Sequence, residues 1–498
     1  MPSARVLDLT LIAVYLVAVT VYGARFGRSQ RTLRDYFLGG KKAPWWAISL
    51  SIVAAETSTL TIIGTPALAF GGDLRFLQLV LGYLLARIVI SIVFLPAYFR
   101  GEMYTAYELM RRRFGENLRR LTASLFLVTR SLAEGVRVFA ISLVVAVVLG
   151  TGEMASILII TLLTLFYTFH GGMTAVIWTD VAQMFLYVGG AVLSFFMILD
   201  RVAGGWDQVV ALAAEAGKWR VFDFTSPLAT GFFSETYTFW AGLLGGCFLT
   251  TATHGTDQLV VQRLLAARTR AESRLALLAS WAVIFFQFAL FLTIGVMLWV
   301  WHSQTGRPAP EPLDRLYPSF IWNELPPIAA GVAIAAILAA AMSNISAALN
   351  SLASASMIDL YLPLAGSRAG DEERRLALSR RFTLVWGAVL LGIAVLARRW
   401  GSVLEAGLAI ASVPLGALLG VFSLGVLTRR VSERAASVGL VCGLAAIIFV
   451  RFGTAVAWTW YVVIGAVATF VSGWLASWIW PAPARDAPLA AAPPEPSL

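Results

Sequence analysis

The chain has 498 residues, 59% of them hydrophobic and only 13% charged, with 17 Trp and 30 Phe. No soluble domain needs that much apolar surface, so the solvent for most of this protein is a lipid bilayer. The formal net charge of +10 could suggest a nucleic-acid partner, but the basic residues alternate between the loops that separate apolar stretches. That distribution sets topology and argues for no nucleic acid.

Apolar stretches long enough to cross a bilayer as helices, about 18 to 25 residues, predict an all-α polytopic membrane protein. About thirteen transmembrane helices are expected, near 7–24, 44–70, 75–99, 121–149, 154–170, 174–200, 236–262, 276–302, 326–360, 382–400, 402–427, 434–452 and 457–480. The first is followed by a basic cluster rather than a cleavage site, so it reads as an anchor that stays. With the N-terminus outside, the cytoplasmic loops hold 25 of the 38 Lys and Arg, against 10 in the opposite loops. This bias predicts the N-terminus outside and the C-terminus in the cytoplasm of a bacterial-type inner (plasma) membrane. Cys247 and Cys442 fall inside spans and support neither a disulfide nor a metal site. The connection 201–235 is expected to form short surface helices, and the Pro- and Ala-rich tail 481–498 to be disordered.

Two spans break near mid-depth into small polar residues with one acid. The first break is Ala54-Ala55-Glu56-Thr57-Ser58-Thr59, in the span that starts at Trp45; the second runs from Thr250 to Asp257-Gln258, in the span that starts at Phe239. Polar groups and a carboxylate at that depth are costly unless they line a cavity or bind an ion. If the spans after the first are split five and five, each break opens one repeat. The expected plan is a peripheral helix and cytoplasmic loop over 1–43, repeats over 44–200 and 236–427 flanking the external loop 201–235, two peripheral helices over 428–480 and the tail. An odd number of helices per repeat inverts the second relative to the first, as in many secondary transporters.

Several strings, in order, resemble the sodium:solute symporter family, which includes sodium/glucose, proline and sialic acid carriers. They are Asp35-Tyr36-Phe37-Leu38-Gly39-Gly40 before Trp45-Trp46, Tyr104-Thr105-Ala106-Tyr107-Glu108-Leu109 leading to Arg113-Phe114-Gly115, and Gly171-Gly172-Met173-Thr174-Ala175-Val176-Ile177-Trp178-Thr179-Asp180. Gln262-Arg263, Asn350-Ser351 with Asp359-Leu360-Tyr361, and Leu419-Gly420-Val421-Phe422 follow, so the resemblance covers about residues 6 to 430. It implies a LeuT-like five-plus-five inverted repeat and sodium-coupled symport of a small polar organic solute by alternating access. Na+ is then the coupling ion, no organic cofactor is needed, and the partners are the lipid bilayer and the solute, in a monomer or weak oligomer.

The resemblance also implies a sodium site. Aligning Trp45-Trp46 puts carbonyl ligands at Ala54 and Thr57; aligning Asn350-Ser351 and Asp359 puts the others at the Ala340 carbonyl, Ser343 and Asn344. The family usually has Ser or Thr where this chain has Asn344. Asp180 and Ser346 match a second ion site or an exit path, but its next hydroxyl falls on Ala347, which favours one sodium; Asp180, near the cytoplasmic end of its helix, is alternatively a surface cap. The solute is expected to meet Glu56, Asp257 and Gln258, with Thr61, His254 and Arg87 as further contacts.

Each of these residues has a structural alternative. Ser343, Asn344 and Ser346 could simply join helices; Glu56 could be buried in a pair with Arg87 or Arg137; Asp257 could form an ion pair closing the inner mouth; and His254 could be a hydrogen-bonded structural residue. Arg130, Glu134 and Arg137 share one helix face and suit an internal ion-pair network, although Arg137 or Arg87 could meet a solute carboxylate. Enzymatic chemistry would need a nucleophile with its base, which His170, His254, His302 and isolated Cys do not offer. A proton-coupled symporter of the same fold using Glu56 or Asp257, and a non-transporting solute receptor, are the alternative functions.

Overall fold

A backbone in lipid must close its hydrogen bonds within the segment, so long apolar runs become helices. In the computed structural model, which describes residues 2–26, 31–149, 153–311, 313–366, 370–397 and 403–482, each expected span carries helix. In chain order these are α1 (Pro2–Ala24), α2 (Leu33–Leu38), α3 (Trp45–Glu56), α4 (Thr59–Gly71), α5 (Leu77–Val89), α6 (Glu116–Leu149), α7 (Glu153–Arg201), α8 (Gly246–Gly255) and α9 (Gln258–Leu265). They continue with α10 (Arg270–Thr305), α11 (Ala329–Ala355), α12 (Glu372–Ala397), α13 (Val403–Leu427), α14 (Glu433–Gly453) and α15 (Tyr461–Ala476).

Length and apolar composition alone qualify eight helices among the described residues as membrane spans, or nine when the bent pair α3 and α4 is counted as one. The expected thirteen is not reached by that measure, for identifiable reasons. α6 carries Arg130, Glu134 and Arg137; the span near 236–262 is interrupted between α8 and α9; and 154–170 and 402–427 yield only shorter apolar helices among the described residues. α7 covers two expected spans with a kink at Gly172, where φ is 53°. A Cβ there would lie 2.6 Å from the Tyr36 carbonyl oxygen, so the α2 segment sits directly against the kink. Residues 483–498 of the tail lie outside the described residues.

α11 is the central element. Its most apolar stretch is 94% buried, and it packs against α1, α6, α7 and α12. The sequence explains this: AAGVAIAAILAAAMSNISAALNSLASA is rich in Ala, Gly and Ser, which let neighbouring backbones approach closely where lipid offers no hydrophobic drive between helices. α14 and α15 pack on each other and on α13.

Two ties were not anticipated. Asp8 of α1, 1% exposed, accepts hydrogen bonds from the backbone N–H of Ile328 (2.7 Å) and Gly331 (3.0 Å), so the outlying first helix caps the start of α11. On the side expected to be external, the 201–235 connection, which contains a helix over Gly205–Glu215, clamps the α4–α5 junction. Lys218 Nζ donates to the Phe70 and Gly72 carbonyls (2.7 and 2.9 Å), and Arg75 pairs with Asp73 and Asp223 (2.8 and 2.9 Å). Burial pushes the Asp223 carboxyl up, but hydrogen bonds from Thr225 and Arg75 outweigh it and hold the group below its ordinary value.

α5 and the helix that leads into the second break meet backbone to backbone. A Cβ on Gly82 would lie 2.6 Å from the carbonyl oxygens of Gly242 and Leu243, and one on Gly246 would lie 2.5 Å from that of Leu79. Gly82→Val should therefore force the two helices apart and destabilise the protein by about 1–3 kcal/mol, read as a lowered thermal midpoint in detergent; an unchanged midpoint would contradict this packing.

Candidate ion and solute site

The first break is made by a capping box. Ser58, extended at φ −90° and ψ 163°, turns its N–H to Thr61 Oγ1 (3.3 Å), and Thr61 N–H turns to Ser58 Oγ (3.2 Å). In a continuous helix those two N–H groups would bond the Ala54 and Thr57 carbonyls. Both carbonyls therefore leave the helical ladder, and the axes of Trp45–Glu56 and Thr61–Gly71 meet at 60°. Thr61, expected at the solute, spends its hydroxyl on this cap.

α11 crosses at the break. Asn344 Nδ2 donates to the Thr57 carbonyl and to the Ala340 carbonyl, both at 2.9 Å, so two of the expected sodium ligands converge on one atom. Ser343 Oγ, on the neighbouring residue, donates to Asp180 Oδ1 (2.7 Å) and keeps its lone pairs. The Thr57 hydroxyl is tied down by Val53 O (2.8 Å) and by Gln287 Nε2 (2.7 Å), which fixes the strand of backbone that carries its carbonyl. Ser346 Oγ bonds within its own helix to Ser343 O (2.9 Å).

Asp180 is not a surface cap. It is fully buried and joins four elements: Ser51 of α3 (2.5 Å), Ser343 of α11 (2.7 Å) and Arg263 of α9 (2.8 Å) all reach its carboxylate on α7. The sequence puts Asp180 past the Gly171-Gly172 turn and so near the cytoplasmic end, which does not reveal that its side chain is buried among three other helices. Arg263, noted only as part of a string, also bonds Ser51 O and Leu259 O.

Each break carries an acid, and each acid has an arginine. Glu56 pairs with Arg87 Nη2 of α5 (2.5 Å) and lies 3.2 Å from His254 Nε2 of α8, so Arg87 rather than Arg137 is its partner. Arg87 is completed by Ser280 Oγ (3.1 Å) and the Tyr83 carbonyl (3.3 Å), and His254 Nδ1 by Thr253 Oγ1 (2.9 Å). Asp257 caps α9 through Leu259 N–H (2.8 Å) and lies 3.5 Å from Arg130. Arg130 and Arg137 both reach Glu134 (3.0 and 2.6 Å), forming the expected network on one face of α6. Gln258 has no free amide: it accepts from Ala106 N–H (2.8 Å) and donates to the Tyr104 carbonyl (3.1 Å) and Ser354 Oγ (3.0 Å).

A cavity lies beside the break, lined by Ser58, Thr59, Glu134, Arg137 and Asn344, with a free volume of about 10 Å³. That is room for a single water-sized sphere. Sequence reasoning missed Ser58 and Thr59 as lining residues and gave Arg137 only a minor part. The signal was available: Arg137 lies three residues beyond Glu134, on the face that turns to the break.

Removing one partner of a buried ion pair strands the other charge, at a cost of about 3–5 kcal/mol. Arg87→Met and Glu56→Gln should each lower the thermal midpoint, and the double variant should lose less than the sum of the two; strict additivity in that cycle would argue that the pair does not interact.

The model of the sodium:solute symporter family matches residues 36–443 of this chain. The sodium/sialic acid symporter SiaT of Proteus mirabilis (strain HI4320) is 29% identical over 92% of this chain and 92% of its own. The human sodium/iodide cotransporter is 29% identical over 91% of this chain and 70% of its own. Among solved structures, the substrate-bound outward-open state of a Na+-coupled sialic acid symporter superposes with a TM-score of 0.85 at 28% identity, covering 95% of this chain and 98% of that one. MHP1, a nucleobase-cation-symport-1 family transporter in a closed conformation, shares the fold at a TM-score of 0.53 and 13% identity, over 90% and 94% of the two chains. With a broken helix at its centre and a family match over most of its length, the chain belongs to the sodium:solute symporter family and is a sodium-coupled membrane symporter of LeuT-like fold, not an enzyme.

Proposed function

We propose that this symporter carries a small polar organic solute bearing a carboxylate, with sodium bound at the Ala54, Thr57 and Ala340 carbonyls and Ser343 Oγ, beside Asn344. The observation that carries the ion site is the convergence of the Thr57 and Ala340 carbonyls on one nitrogen at 2.9 Å. A hard cation takes oxygen ligands, and an unwound helix supplies carbonyls released from its own ladder. The solute sits in the cavity between the break and α6. Arg137 uses Nη1 on Glu134 and retains its other donors for a carboxylate, and Thr59 offers a hydroxyl. The 10 Å³ free volume requires that the cavity widen to admit a solute. Sialic acid, a carboxylate-bearing polyol carried by the relatives of similar length, is the first solute to test.

The N-terminus lies outside and the C-terminus in the cytoplasm of the inner membrane, with 44–200 and 236–427 as the two repeats. Sodium holds α3 and α4 against α11 and completes the cavity. The ion favours solute loading by the difference in its affinity between the two states. The inner mouth is the side where α9 is bonded by Gln258, by Gln262 to the Phe37 carbonyl (2.8 Å) and by Arg263 to Asp180. Release requires those bonds to part. Glu56 is committed to Arg87, and Asp257 to its cap and Arg130, which leaves the proton-driven alternative without a free carboxylate at either break.

In reconstituted vesicles, sodium replaced by choline at fixed pH should abolish sialic acid uptake. Ser343→Ala should raise the sodium needed for half-maximal activation roughly tenfold, and Arg137→Met should reduce uptake of a carboxylate solute by a similar factor or more. Sodium activation indifferent to Ser343→Ala would remove the ion site; binding without flux of any solute would make the protein a receptor.

A further inference from the structure

Asn344 stands where a simple hydroxyl would serve as a ligand, and its amide is turned the wrong way round for a cation. Its Nδ2 donates to the Thr57 and Ala340 carbonyls, the oxygens a sodium ion would use. Its Oδ1 is buried and, among the described residues, accepts no hydrogen bond. The residue is 3% exposed and also lines the cavity that holds Arg137.

An N–H pointing at a cation is repulsive, so sodium cannot enter between these carbonyls while the amide holds them. Two carbonyls that lie outside the helical ladder or accept a second bond are satisfied here without any ion, and the break is held to α11 by protein alone. The amide must make a half-turn about Cβ–Cγ for sodium to bind, which brings Oδ1 to the ion as a further oxygen ligand. The half-turn moves Nδ2 to the place Oδ1 leaves. An N–H donor then stands where the unpaired Oδ1 stood, on a residue that lines the cavity, and a donor is the better partner for a solute carboxylate beside Arg137.

We propose that Asn344 is an amide switch: with its nitrogen on the Thr57 and Ala340 carbonyls it stands in for sodium and competes with it, and the half-turn that admits sodium presents a donor to the solute cavity. This rests on the sodium site proposed above. It assigns to Asn344 a role in setting ion affinity and coupling, rather than that of a fixed ligand.

The test measures sodium binding by the purified full chain without solute, as the concentration that half-saturates the thermal shift in buffers where choline balances sodium. Asn344→Ser keeps an oxygen and removes the two competing N–H donors. It should lower the sodium needed for half-saturation about fivefold or more, the equivalent of one or two modest hydrogen bonds. In choline alone it should melt below the wild type, because the ion-free clasp is gone. Asn344→Thr, should the serine variant fail to fold, is expected to behave alike. Ser343→Ala separates the two readings. If it leaves sodium half-saturation unchanged, the ion does not bind here and both readings fall. If it weakens sodium while Asn344→Ser binds sodium no better than the wild type, the site stands and the amide switch is overturned.

Discussion

The structure turns on two hydrogen bonds that are not made. Ser58 and Thr61 give their N–H groups to each other's side chains, so the carbonyls of Ala54 and Thr57 have no helical donor. In hydrocarbon an orphaned carbonyl costs several kcal/mol, so a break at that depth persists only if something else meets those oxygens. For Thr57 α11 does so, because its run of Ala and Ser brings its backbone close enough for Asn344 to bridge the Thr57 and Ala340 carbonyls. The bend, the cavity beside it and the placing of Glu56 all follow from that exchange.

Charge is arranged around the breaks in the same spirit. Glu56 and Asp257 each lie at a break, and each meets an arginine from an unbroken helix, Arg87 of α5 and Arg130 of α6. Buried pairs of this kind add little net stability, because desolvation consumes most of the attraction. Their effect is on geometry. Asp257 fixes where α9 begins, and Glu56, through His254, ties the end of α3 to the end of α8. The two broken helices are thus cross-linked to one another directly, at the depth where both lose their ladder.

Hydropathy made the helical spans and both breaks legible, because the bilayer punishes polar residues at mid-depth and the sequence must record each exception. The family strings added the fold. Three-dimensional pairing was less legible. Glu56 had Arg87 and Arg137 as candidate partners in the sequence, and the structure pairs it with Arg87. Asp180 was expected near the cytoplasmic end, and sequence position past a Gly-Gly turn does not reveal that it is buried beside Arg263. Asp8 carries no signal in the sequence beyond being one acid in an anchor helix, although it caps α11. Gln258 was expected at the solute because it aligns with a substrate-contacting region of the family, and Thr61 as a weaker contact; a polar residue at a break is equally what a cap and an interhelical clasp require.

Coupling between ion and solute needs no long pathway in this arrangement. Asn344 touches the ion carbonyls with one end of its amide and lines the solute cavity, and Ser58, which makes the break, lines that cavity too. Two ligands that share a wall are coupled by whatever that wall does differently when each is bound, and the coupling is reciprocal. The inner mouth is joined to the same wall by a short chain: Arg263 of α9 bonds Asp180, and Asp180 accepts from Ser343, the residue beside Asn344. Withdrawal of α9 takes a guanidinium from a fully buried carboxylate, and that carboxylate must then be met by another cation. A sodium ion at the site proposed beside Ser343 would be the cation within reach, so on that proposal parting Arg263 from Asp180 weakens the hold of the ion site in the same movement.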